Sequence, residues 1–175
     1  LIGGERTLTG CVATAACIAM RYHGWPAKGH GKLPSYTYKD DSGKIQYVEG
    51  YELGSEYDWD MMPLEFNSSS SSEECNMVAT LMHDVGVMVQ AQYGTDGTGA
   101  FTDLARYMDY DGSLIYRVKE YSTYEEWVSL LKDNIDRTGP VIYDGYGDDE
   151  GHCFILDGYN AKDQFHINWG WSGAG

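Results

Sequence analysis

The sequence has no apolar run approaching the roughly 18–20 residues of a transmembrane helix, so no membrane segment is expected. No signal peptide is visible, and the abrupt start at Leu1 and end at Gly175 suit a processed or cropped chain. Basic residues are scarce: 12 Lys and Arg stand against 27 Asp and Glu, a formal net charge of −15. That argues against a nucleic-acid partner, because phosphate binding needs clustered Lys and Arg. No C-x-x-C pair occurs. The four cysteines, Cys11, Cys17, Cys75 and Cys153, match no zinc spacing and are sparse for a disulfide scaffold of this length. Two disulfides stay possible on count alone. His23, His30, His83 and His166 show no ligand spacing either, so neither metal nor cofactor is expected. There is no internal repeat.

What remains is ordinary globular material: 42% hydrophobic residues, 14% aromatics with 15 Tyr, and 22 Gly. Residues 1–175 are long enough for one domain with its own core. Val12, Ala15, Ala16, Ala19 and Met20 recur at helical spacing, which predicts a buried-face helix over 11–23. Thr9 is its expected N-cap, and Gly24 and Pro26 stop it. Residues 27–57 read as loop with short strands at best. The five-serine run 68–72 reads as an exposed loop, and Glu73-Glu74 after it signals a helix start, over about 73–85. A flexible 94–99 loop (GTDGTG) precedes a helix at about 100–109. Trp127, Leu130, Leu131 and Ile135 form one stripe of a helix over about 123–136. Strands follow at about 140–145, 152–158 and 163–169, the last two joined as a hairpin. Helices first and antiparallel strands last is an α+β pattern.

Cys11 falls on the first turn of the first helix, after Gly10. The N-terminal end of a helix carries partial positive charge and free N–H groups. Such a position lowers a thiol pKa and offers donors to an oxyanion. A buried packing cysteine is the competing reading. His152 opens a strand behind an acidic, glycine-rich loop from Asp144 to Gly151. By alternation it shares a face with Phe154 and Leu156, while Cys153 and Ile155 take the other. Asn168 ends the partner strand, 16 residues after His152. Its amide oxygen could accept from the imidazole, with Trp169 as a shield from water; a polar hairpin end beside a packing tryptophan is the alternative. A cysteine early on a helix, followed late by His and Asn on strands, is the cysteine-peptidase order. Asp148, Asp149 and Glu150 form an acidic rim beside His152. The rim reads as a solvated loop, or as a bias toward basic substrates.

Three blocks carry a resemblance. Gly10-Cys11-Val12-Ala13-Thr14-Ala15 through Met20-Arg21-Tyr22-His23 resembles the nucleophile helix of the streptopain family of papain-like cysteine peptidases. The segment from Gly151-His152-Cys153-Phe154 to Asp157-Gly158 is similar to its G-H-x-F-x-x-D-G strand. Phe165-His166-Ile167-Asn168-Trp169-Gly170-Trp171-Ser172-Gly173 is similar to its N-W-G-W-x-G motif. The resemblance implies a papain-like fold, with a helical half carrying the nucleophile and an antiparallel sheet half carrying His and Asn. It implies a secreted bacterial endopeptidase acting on proteins or peptides, held as a zymogen by an N-terminal propeptide and preferring a hydrophobic residue second before the cut. By the same resemblance Cys11 is the nucleophile, His152 the base and then acid, and Asn168 and Trp169 orient or shield His152. Gly151 lends backbone to the substrate, with Thr98 and Gly99 flanking the cleft. Cys153, where the family often has a small residue, is expected to face away from His152 and pack. His166, sharing a face with Asn168, is expected to line the core.

No Gln precedes Cys11; the first is Gln46. The family's oxyanion glutamine, the prodomain and the last strand are therefore expected outside this segment. Two rivals keep the same fold: an acyltransferase that passes the thioester to an amine, and a binding module without activity. Intact Cys11, His152 and Asn168 argue against the second.

Overall fold

The computed structural model describes residues 7–94, 103–148 and 151–171. Helix α1 spans Cys11–His23, and Gly24 ends it in the left-handed conformation at φ 57°. Alanine at four of its positions favours the helix and lets neighbours approach closely. Burial extends beyond the expected stripe to Ala13 and Cys17, because α1 is packed on two sides. Helix α2, Ser72–Met88, lies against one side of α1. It starts where the serine run ends: Ser71 Oγ accepts from the Glu74 N–H, and the Glu74 carboxylate accepts from the Ser71 N–H. It runs three residues past the expected end, since Val85, Val87 and Met88 are buried.

Strands β1, Tyr36–Lys39, and β2, Ile45–Val48, make a small antiparallel hairpin in the stretch read as loop with short strands at best. Helix α3 is only Leu104–Tyr107 among the described residues. Helix α4, Tyr124–Thr138, has its own capping box between Thr123 and Glu126. The chain then forms an antiparallel sheet of β3, Val141–Tyr146, β4, Gly151–Tyr159, and β5, Phe165–Asn168, in the order β3-β4-β5.

The central strand β4 sets the architecture. Cys153 and Ile155 face α1 and join the larger core with Val12, Ala16, Met20 and Val85. Phe154 and Leu156 face the other way and join a second core with Trp127 and Leu131 of α4. The sheet is thus a wall between two apolar layers, with period-2 alternation feeding both. A bulge between Leu156 and Gly158 sets His166 opposite Gly158. His166 consequently does not line the core: its exposed imidazole pairs with Asp157 at 2.6 Å.

Candidate active site

Cys11 opens α1, and Gly10 before it takes φ 86°, ψ 156°, a conformation suited to glycine. Thr9 does not cap the helix; its hydroxyl lies 3.7 Å from Met82 Sδ instead. No side chain caps α1 at all, so its first amides keep their N–H groups free of a side-chain acceptor. The Cys11 side chain is half-buried against the larger core. Cys153 is in that same core, 3% exposed, on the α1 face of β4 and away from His152. Burial pushes its thiol pKa well up, and the Asp144 carboxylate, which accepts its S–H, adds to the rise. Burial likewise raises the Cys17 thiol. Neither is suited to nucleophilic work. All four cysteines are free thiols.

His152 stands near the start of β4 on the Phe154 face. Its Nε2 lies 3.0 Å from the Trp169 carbonyl oxygen. A carbonyl can only accept, so Nε2 carries the hydrogen and Nδ1 of the neutral ring is the basic nitrogen. Aromatic rings enclose the imidazole. The centroids of Trp171, Trp169 and Phe154 lie 5.0, 5.9 and 6.1 Å from it. Trp169 and Trp171 stack on each other at 5.6 Å.

The Asn168 side chain does not hold the imidazole in this structure. Its Oδ1 accepts from the Gly170 N–H at 3.0 Å and locks the turn after β5. The reason is the pleat: Asn168 pairs with Ile155 and so shares the α1 face, whereas Trp169 and His152 belong to the opposite one. Gly170, at φ 75°, then crosses the first turn of α1. A Cβ there would stand 2.9 Å from Thr14 Cγ2. Thr14 is one turn beyond Cys11 and binds the Gly10 carbonyl through its hydroxyl at 2.8 Å. The loop that holds His152 is thereby seated on the helical turn that carries Cys11.

Gly151 pairs with Tyr146 across β3 and β4. A Cβ at Gly151 would come within 2.9 Å of the Tyr146 ring, so only glycine leaves that contact unstrained. Thr98 and Gly99, and the Asp149 and Glu150 part of the acidic rim, lie outside the described residues. The carbonyl of Trp169 and the ring of Trp171 were not singled out from the sequence. A backbone oxygen has no sequence signal; Trp171 had one, in the N-W-G-W block. A hollow of about 810 Å³ walled by Arg21, Tyr57 and Trp59 lies at the far end of α1 and has no part in this arrangement.

Known proteins resemble this chain in sequence and fold. The chain is 35% identical over 179 residues to the thiol protease/hemagglutinin PrtT of Porphyromonas gingivalis, covering 99% of this chain and 20% of that protein. It is 29% identical over 181 residues to streptopain of Streptococcus pyogenes, covering 98% of this chain and 45% of streptopain. It therefore spans less than half the length of these relatives. The structure of active wild-type Prevotella intermedia interpain A cysteine protease superposes with a TM-score of 0.81 at 33% identity, over 97% of this chain and 73% of that one. A fragment of prointerpain A from the same organism gives 0.77 at 34% identity, over 97% and 55%. The α+β architecture expected from the sequence, papain-like, is the one adopted. A model of the peptidase C10 family matches residues 2–175, and the chain belongs to that family.

Proposed function

We propose that this chain is the catalytic part of a cysteine endopeptidase, with Cys11 as nucleophile and His152 as general base and then general acid. One observation carries the reading: Cys11 sits on the uncapped first turn of α1, and the loop that holds His152 packs on that same turn. The Cys11 thiol gives its proton to His152 Nδ1, and the thiolate attacks the scissile carbonyl. Free amides at the start of α1 donate to the resulting oxyanion. The imidazolium, held at Nε2 by the Trp169 carbonyl, returns the proton to the leaving amine, and the tetrahedral intermediate collapses to a thioester. His152 then takes a proton from water, the hydroxide attacks the thioester, and the acid product leaves Cys11 free. Asn168 acts on the base indirectly, by fixing the turn that presents Trp169. Gly151 offers backbone to the extended substrate, with Thr98 and Gly99 across the cleft.

Membership of the family supports the finer parts of the reading: secretion, synthesis as a zymogen with an inhibitory propeptide, and a hydrophobic residue second before the cut. The substrates are proteins or peptides. Among the described residues no helix is long and apolar enough to cross a membrane. The test is cleavage of a diverse peptide library by the full-length mature protein under reducing conditions, beside Cys11→Ala and His152→Ala. Wild type cuts and both variants lose at least about a thousandfold in kcat/KM, the scale seen when a member of a catalytic pair is removed. Equal cleavage by wild type and Cys11→Ala refutes the assignment.

A further inference from the structure

Tyr146 ends β3 directly opposite Gly151, one residue before the base. It is 78% exposed, and its edge lies over the Gly151 backbone. In the pleat it shares the α1 face with Asp144, which is opposite Cys153. That face is the one on which α1 and Cys11 pack. Tyr116, 69% exposed, comes near Tyr146 from the segment before α4. The Asp144 carboxylate raises the Tyr146 phenol pKa, and Tyr116, Cys153 and Cys11 contribute in the same direction.

The geometry points to Tyr146 as a specificity-determining residue: with Asp144 and Tyr116 it walls a subsite beside Gly151 that takes a lysine or arginine side chain of the substrate. This rests on the peptidase reading above. An exposed aromatic ring with a carboxylate two residues away on the same strand face suits a cation better than an alkyl chain. The ring attracts the charge through its quadrupole, and the carboxylate adds a charge-assisted acceptor. The net charge of −15 favours the approach of basic segments to the same surface. The subsite serves a substrate position other than the second before the cut, which the reading above gives to a hydrophobic residue.

The experiment is a positional scan of fluorogenic peptides around the cut with the full-length mature protein. It compares Lys and Arg with norleucine in wild type, Tyr146→Ala, Tyr146→Phe and Asp144→Asn. Wild type prefers Lys or Arg over norleucine at one position. Tyr146→Ala lowers that preference about tenfold, the size of a cation–π contact of about 1.4 kcal/mol, with the loss falling chiefly on kcat/KM for the Lys and Arg peptides. Tyr146→Phe keeps the preference, since the ring remains, and Asp144→Asn weakens it and its salt dependence. Cleavage with no cationic preference at any position, or a preference that Tyr146→Ala leaves intact, overturns the subsite. So does a scan in which Tyr146→Ala chiefly lowers cleavage of the norleucine peptides, which would make the wall apolar. Labelling of Cys11 by an electrophilic peptide separates the two readings. A labelled enzyme without cationic preference sinks the subsite alone; a chain neither labelled at Cys11 nor able to cut sinks the peptidase reading, and the subsite with it.

Discussion

Among the described residues, Asp84 is the charged side chain enclosed by the core, 2% exposed on α2. A buried carboxylate must be met by donors, and two phenols meet it: Tyr51 Oη at 2.6 Å and Tyr57 Oη at 2.7 Å. The pair ties α2 to the irregular 50–57 segment. Removing the carboxylate takes the acceptor from the buried Tyr57 phenol and leaves Tyr51 only His83 Nδ1, at 2.9 Å, so Asp84→Ala destabilises by about 2–4 kcal/mol, well beyond Asp84→Asn. Thermal unfolding of the two variants checks this; equal melting temperatures would contradict it. Asp40 does comparable work at the surface, in the β1–β2 turn. Its carboxylate takes the hydroxyl and N–H of Ser42, the N–H of Lys44 and the amide of Gln46. The Ser42 hydroxyl first, then Gln46, hold its pKa at about 2, below the ordinary 3.8. A depressed carboxylate stabilises the fold fully above about pH 3.8, and that contribution is lost as pH falls through 2. Chemical-shift titration of Asp40 should show the midpoint near 2. A midpoint at the ordinary value would mean that the turn is not held this way.

Helix α4 shows how far local chemistry dictates an element. Thr123 and Glu126 close its capping box, and Trp127 and Leu131 pin one face to the second core. Thr123→Ala removes one cap hydrogen bond and costs about 1 kcal/mol, measurable by urea unfolding; an unchanged midpoint would show that packing alone sets where α4 begins. The elements legible in the sequence are the ones with such signals. The alanine-rich period of α1, the stripe of α4 and the alternation of β4 all survive into the structure, with ends shifted by a residue or two. The end of α2 was not legible, because Val85–Met88 extend it through tertiary burial and not through propensity. Residues 27–57 read as loop with short strands at best, and the place and pairing of β1 and β2 were not legible for a related reason: Tyr38 is buried and Tyr36 donates to the Ala91 carbonyl, contacts that only the folded chain supplies. At the site, Cys11, His152 and Trp169 could be marked from residue type and spacing. The partner of His152 could not, since spacing alone does not say on which face of β5 Asn168 will fall. One step of the pleat gives the imidazole a backbone carbonyl and sends the amide to Gly170.

On the scale of the whole molecule, α1 and α4 lie on opposite faces of one three-stranded sheet, and β4 is the strand that both contact most. From Cys153 to Leu156, successive residues of β4 belong alternately to one apolar layer and the other. Neither layer can loosen without uncovering a face of that strand, so the layer under Cys11 and the layer beside His152 melt together. Amide hydrogen exchange makes this measurable. The central amides of β4, from Cys153 to Leu156, exchange only when the whole chain opens, and their protection equals the global unfolding free energy. Those of β1 and β2, out on their separate hairpin, exchange through smaller openings. A protection gap between β4 and α1 would show the layers to be independent. Without such a gap, denaturant leaves no half-folded population that keeps the nucleophile and has lost the base, and activity disappears in the same cooperative step as the fold.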